Sequence, residues 1–397
     1  MIVKNIRMCE GKNDCRLSAT VSCGSLNTAT DFDLWYAFPK EYKQFISLTA
    51  NPFFAALLLP SMSMCEPLII DGPISPRLYS ASSKIMDIFN AWDKSFKKIK
   101  IEAEDGMNFM DPIANASFFS GGVDSFYTIL KNMELHQNDA DSISHLILIH
   151  GFDIPLNDEE MFNKVFKNIS NIGERLGKKV ITVKTNLRDV TKAYAKWGLY
   201  HGGALVSIAL VLEKLFKKVY IAGADSYAQL IPTGLTPYLD PLWSTENLIF
   251  EHDGAEATRL EKIQYQIIKS PVALENLRVC WKNAAQEFNC CECEKCLRTM
   301  ISLSLLGVLG KCSTFNKPIS LEKVRNLEID DSTAMFFKEN LELAGTLKDD
   351  SAMLLSIQTC LRKNGYYKRF GGLKTFLKKI DENVTAGSLK KIYRLLR

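Results

Sequence analysis

Ala116-Ser117-Phe118-Phe119, then Ser120-Gly121-Gly122-Val123-Asp124-Ser125, then the apolar run that opens with Phe126 is the stretch on which the reading of this chain turns. Ala116–Phe119 is a short apolar strand, and Phe126–Met133 resumes with helical spacing. Between them, Gly121 and Gly122 let the backbone turn sharply and approach a ligand with no Cβ in the way. A strand-to-helix turn puts backbone N–H groups and the positive end of a helix in one place, which are the parts of an anion site. Ser120 and Ser125 add hydroxyl donors, and Asp124 is suited to a magnesium ion bridging phosphate oxygens. The P-loop pattern GxxxxGKS/T is absent, so this is a different phosphate cradle. A Gly-Gly pair alone reads as an ordinary turn; the full six-residue string in this setting favours the cradle.

Outward from this loop, strands and helices alternate. Leu146–His150 and Lys179–Thr185 read as strands, with a helix over Glu159–Leu176 between them. A helical stretch enters near Asp189, Gly202–Leu215 is a strongly apolar helix, and Lys218–Gly223 and Leu248–Glu251 complete the strand set. Such alternation predicts an α/β fold with a doubly wound parallel sheet and ligands at the carboxyl ends of its strands. Residues 1–112 form a small α+β domain with strands at Leu17–Ser22, Leu34–Phe38 and Pro67–Ile70, a turn at Asp71-Gly72-Pro73 and a helix over Tyr79–Trp92. Residues 113–312 carry the alternating unit, and 313–397 read as a helical region whose end is rich in Lys and Arg.

Composition narrows the class. The chain has 397 residues, 47% hydrophobic and 24% charged, with a net charge of +4. That is a globular composition with room for two or three domains, and too little charge to argue for nucleic acid or a membrane surface. The longest apolar runs, Phe53–Leu59 and Leu205–Leu212, are far too short to span a bilayer, and the charged start is unlike a signal peptide, so a cytoplasmic protein is expected. Eleven cysteines in such a chain should be reduced.

Ser120–Ser125 resembles the signature of the PP-loop ATP pyrophosphatase superfamily, which includes GMP synthetase, asparagine synthetase, tRNA lysidine synthetase and 7-cyano-7-deazaguanine synthase. The resemblance implies an adenine nucleotide alpha hydrolase-like fold and attack by a substrate oxygen on the α-phosphate of ATP. An adenylated intermediate forms and a nucleophile then displaces AMP. It also implies that Ser120, Gly121, Gly122, Val123, Asp124 and Ser125 hold ATP and magnesium, with Ser120, Asp124 and Ser125 closest to the chemistry. His150 and Asp153, at the end of the second strand, stand where such proteins hold adenine and ribose; a solvated loop is the plainer reading of both.

Cys280, Cys290, Cys293 and Cys296 follow this unit, a distant thiol plus a tight CxxCxxC, which can close a tetrahedron around zinc. An iron–sulfur cluster uses the same four thiolates, and Cys291 is either spare or a substitute for Cys290. With Arg298 just after, the pattern resembles 7-cyano-7-deazaguanine synthase across about residues 115–305. That family adenylates a carboxylate and converts it with ammonia, so the resemblance implies a C–N bond-forming ligase. The long segments before and after the unit leave the substrate open.

Three weaker candidates complete the set. His201 lies beside glycines at a helix start, where it is an anion contact or a packed core residue; Asp225 follows the fourth strand, as a ligand or a plain N-cap. His252 between Glu251 and Asp253 is a general base or part of a solvated turn. The rival functions are a PP-loop sulfur transferase using Cys291, an adenylate-driven epimerase, and a nucleotide-binding scaffold in a defence or modification complex. Expected partners are ATP and a small-molecule or macromolecular carboxylate. A homodimer, or a protein partner on the N-terminal domain or the basic C-terminal region, is also compatible with the sequence.

Overall fold

The computed structural model describes residues 1–24, 30–106, 109–137, 139–282, 286–347 and 352–365. Lys378, Lys379, Lys390 and Lys391, four of the basic residues at the end of the sequence, lie outside them. Two compact units are present, Met1–Cys290 with Gly310–Phe315, and Cys291–Leu309 with the described residues from Asn316 to Gly365.

The first unit is built on a ten-stranded sheet. Its strands are β1 (Ile2–Glu10), β2 (Asp14–Cys23), β3 (Thr30–Pro39), β4 (Leu68–Ile74), β5 (Ile101–Asp105), β6 (Ala114–Phe118), β7 (His145–His150), β8 (Lys179–Thr185), β9 (Phe216–Ala222) and β10 (Ile249–Asp253). They lie in the order β10-β9-β6-β7-β8-β3-β2-β1-β4-β5. The five strands from β10 to β8 are parallel throughout. The chain moves from β6 to β7 to β8 in one direction, then returns past β6 to lay down β9 and β10. The order therefore reverses at β6, the strand that feeds Ser120–Ser125. In an open α/β sheet, ligands bind outside the carboxyl ends of the strands at such a reversal.

The helices of this unit are α1 (Asn51–Met64), α2 (Pro76–Trp92), α3 (Val123–Leu135), α4 (Glu159–Leu176), α5 (Leu187–Thr191), α6 (Trp197–Val211), α7 (Arg259–Tyr265) and α8 (Pro271–Asn276). Helix α3 packs on β6 and β9, α4 packs on β7 and β8, and α6 packs on α1. Asp158 caps α4 by accepting from the Met161 N–H, and Gly177 ends it in the left-handed conformation, so the sequence span Glu159–Leu176 is reproduced without change. Helices α1 and α6 are apolar on every side and pack together in one core with Leu17, Tyr36, Ile147, Ile181 and Val219 of the sheet. A methyl at Gly203 of α6 would crowd the Ala55 carbonyl of α1, and the Tyr200 hydroxyl donates to the Ala56 carbonyl at 2.8 Å.

The strands of the first hundred residues belong to the same sheet. Only Tyr36–Thr185 and Ala37–Lys184 pair β3 with β8, and side chains extend the seam. The Asn186 amide accepts from the Trp35 N–H at 3.0 Å and donates to the Asp33 carbonyl at 2.7 Å, while the Thr185 hydroxyl donates to the Trp35 carbonyl at 2.7 Å. The turn expected at Asp71-Gly72-Pro73 is instead inside β4, where pairing with β5 slips between Ile70 and Pro73. A bulge tolerates Gly and Pro in a strand, which is why turn residues misled there.

The second unit is helical, with α9 (Glu294–Leu305), α10 (Leu321–Asn326), α11 (Asp331–Thr346) and a helix over residues 352–365. Leu297, Ile301, Val324, Phe337, Met353 and Ile357 form its core. Arg298 is buried there, its guanidinium 4.0 Å from the Phe336 ring centroid and 3.6 Å from the Glu294 carboxylate.

Candidate functional site

Gly121 takes φ of +76°, a backbone that L side chains rarely adopt, so the first glycine of the loop is required by conformation. Gly122 is the N-cap of α3, and no side chain caps that helix. The Ser120 hydroxyl accepts from the Gly122 N–H at 3.3 Å, and the Ser125 hydroxyl donates to the Gly122 carbonyl at 3.1 Å. The Gly121 carbonyl accepts from the Arg278 N–H at 2.8 Å, which ties the loop to the segment leading to Cys280. Ser120 is exposed, Asp124 half-buried and Val123 buried in the core.

Asp124 meets two cations from α7. Arg259 donates to its Oδ2 at 2.6 Å, and the Lys262 ammonium lies 3.4 Å from Oδ1. The Arg259 side chain is 8% exposed and that of Lys262 is 0%, against 21% for Asp124. Lys262 also donates to the Gly223 carbonyl at 2.6 Å, at the carboxyl end of β9. Positions three apart share one helix face, so α7 delivers both charges together. Its start is fixed by a capping box, with the Thr258 hydroxyl accepting from the Glu261 N–H and the Glu261 carboxylate accepting from the Thr258 N–H. Neither cation was singled out from sequence. The Thr258-x-x-Glu261 box was the available signal, since it announces a helix start, but nothing in it says which side chains face a loop far upstream.

Both carboxylate oxygens of Asp124 thus face a cation. A magnesium ion there would meet two positive charges at close range, so this donor set does not fit magnesium held by Asp124.

The remaining candidates are dispersed. His150 is fully buried, stacked on Phe162 at 4.1 Å with Nε2 and the Pro155 carbonyl 2.9 Å apart, and burial holds its pKa below the usual histidine range. Asp153 is exposed, 3.8 Å from Arg188. His201 is half-buried, with Nδ1 3.1 Å from the Trp197 carbonyl. Asp225 is half-buried after β9.

His252 is not in a solvated turn. Its Nδ1 lies 2.6 Å from Asp240 Oδ2, with both side chains buried, and among the described residues its Nε2 has no hydrogen-bond partner. Burial pushes the Asp240 carboxyl up to about 6 against the opposing pull of the His252 bond.

Cys280, Cys290, Cys293 and Cys296 are all buried, and their sulfurs lie within 4.8 Å of one another. Zn–S bonds near 2.3 Å in a tetrahedron place sulfurs about 3.8 Å apart, so these four fit one metal ion such as zinc. An iron–sulfur cluster needs several metal atoms between its thiolates and hence a wider set. Asn289 shapes the segment, accepting from the Val279 and Cys280 N–H groups at 2.9 and 3.2 Å and donating to the Leu277 carbonyl at 2.8 Å. Cys291 is outside the set and buried, with its sulfur 3.8 Å from Asn316 Oδ1.

No protein-family model, no curated protein and no solved structure matches this chain. The site is therefore read from its own residues. Among the described residues, no helix is long and apolar enough to cross a membrane.

Proposed function

We infer that this chain is a PP-loop-type ATP pyrophosphatase that activates a carboxylate for attack by a nitrogen nucleophile. One observation carries the reading: the Ser120–Ser125 loop leaves the strand at which sheet order reverses, with two buried cations beside it. A glycine turn, an uncapped helix start and paired cations suit a polyphosphate, the most highly charged part of ATP.

In the reaction, a carboxylate oxygen of the substrate attacks the α-phosphorus of ATP. The bond from that phosphorus to the bridging oxygen of the β-phosphate breaks, and pyrophosphate leaves with the electron pair. The N–H groups at the start of α3, with Arg259 and Lys262, stabilise the charge that gathers on the leaving group. A nitrogen nucleophile then attacks the acyl carbon of the adenylate, AMP departs with the bonding electrons, and the nitrogen gives up its proton to solvent. Magnesium arrives as the counterion of the nucleotide. Zinc is the ion we assign to the four cysteines, in a closed structural role because every donor is a buried thiol. The burial of Cys291 counts against the sulfur-transferase alternative, since a persulfide carrier must reach its acceptor.

The test is a screen of carboxylic acids for substrate-dependent pyrophosphate release from ATP, run with the wild-type chain and Arg259→Gln. The variant is expected to lose about a hundred-fold in rate, the usual cost of removing one such donor. Equal release from the two proteins ends the assignment.

A further inference from the structure

We propose that Asp124 is an internal stand-in for the anionic ligand: it occupies Arg259 and Lys262, and a pyrophosphate group must displace it to reach them. This rests on the reading that the loop binds polyphosphate, and it concerns how that same site is controlled.

Three observations converge on it. Asp124 presents each of its two oxygens to a different cation, as two phosphate oxygens would. The cations lie deeper than the carboxylate, so the least buried member of the trio is the acidic one. The cations also have fixed seats: Lys262 is fastened to the Gly223 carbonyl, and Arg259 stands in the first turn of a helix locked by its capping box. The carboxylate stands in the first turn of α3, two residues after its N-cap Gly122. A ligand arriving from the strand ends therefore meets the carboxylate before the charges behind it.

The energetics favour such a device. Two buried cations without a counterion are costly, and a carboxylate supplied by the chain offsets that cost. The same carboxylate then competes with every incoming anion, so affinity for pyrophosphate is lowered by whatever its own pairing contributes. A product that binds less tightly also leaves more readily. The side chain most naturally read as a magnesium ligand thus acts here against phosphate binding, and its removal should strengthen that binding.

The experiment titrates the full-length chain with inorganic pyrophosphate by calorimetry, with no added divalent metal, for wild type, Asp124→Asn and Asp124→Asn/Arg259→Gln. Asp124→Asn is expected to bind about ten-fold more tightly than wild type, and the double variant to lose that gain. Because Asp124→Asn leaves two cations poorly compensated, the same comparison is made by melting temperature. Pyrophosphate should raise the variant's melting point by more than it raises that of wild type, a readout that survives a marginal fold. If wild type binds and Asp124→Asn binds equally or more weakly, with no larger thermal shift, the stand-in proposal is overturned and the polyphosphate reading survives. If neither protein binds pyrophosphate, the polyphosphate reading itself is overturned.

Discussion

The imidazole of His252 fills the space that a side chain at residue 223 would need, so that Gly223 is a glycine because of a histidine on the neighbouring strand. The imidazole is fixed in turn by Asp240, and Gly223 offers its carbonyl to Lys262. Packing around His252 therefore reaches the cation beside Asp124 through a single residue.

Gly223→Ala is expected to cost about 1–3 kcal/mol by overpacking. Combining it with His252→Ala makes room for the methyl, so the double variant should be more stable than the sum of the two singles predicts. Chemical denaturation of all four proteins measures the coupling; strict additivity would mean that the two residues do not meet in solution.

The metal site predicts about one equivalent of zinc per chain, with Cys293→Ser lowering both metal content and melting temperature. Elemental analysis together with thermal unfolding checks both. Cys291→Ser, whose sulfur is outside the set, should leave zinc content unchanged.

Acid sensitivity has an identifiable source in His145, at the start of β7. Burial lowers its pKa from 6.5 to about 4. The unfolded chain therefore takes up a proton on this ring that the folded chain refuses, and stability falls as pH drops from about 6.5 towards 4. The full loss is on the order of 3 kcal/mol. His145→Phe, which keeps a ring against Phe216, should flatten that part of the stability profile. An unchanged slope between pH 6.5 and 4 would exclude His145 as the cause.

At the seam between β3 and β8, Asn186→Ala removes two hydrogen bonds to the backbone of β3. A loss of about 1–3 kcal/mol in urea unfolding is expected, mostly from backbone groups left without partners. Asn186→Asp keeps the acceptor and loses the donor, and should fall between Ala and wild type.

The sequence was most legible where local rules decide the outcome. Glu159–Leu176 has a cap at each end and an apolar face, and β8 is an uninterrupted run between Gly177 and Asn186, so both spans match their reading from sequence. Helix α1 was not recognised because its residues are apolar all round, which leaves no periodicity to read. Strand β1 was missed because its sequence, IVKNIRMCE, is charged and irregular, and Val3 is its one buried residue. At the site, the loop was legible because six consecutive residues carry it. Arg259 and Lys262 were not, since their meaning lies in a partner far away in the sequence. His252 was misplaced for the same reason: two neighbouring carboxylates suggested a wet turn, while the residue that pairs with it, Asp240, lies across a loop.

The narrow join between β3 and β8 also bears on how the chain reaches its native state. Residues 36 and 185 become neighbours only after everything between them has been brought back, including α1, the loop at 120–125 and α4. Closing so long a segment for two backbone pairs gains little until the flanking strands already exist. The parallel strands β6, β7 and β8 and the antiparallel β1, β2 and β3 should therefore each assemble first, with zippering at Tyr36 as a late event. In pulse-labelling exchange, the Trp35 amide should gain protection after those of Leu148 and Leu17.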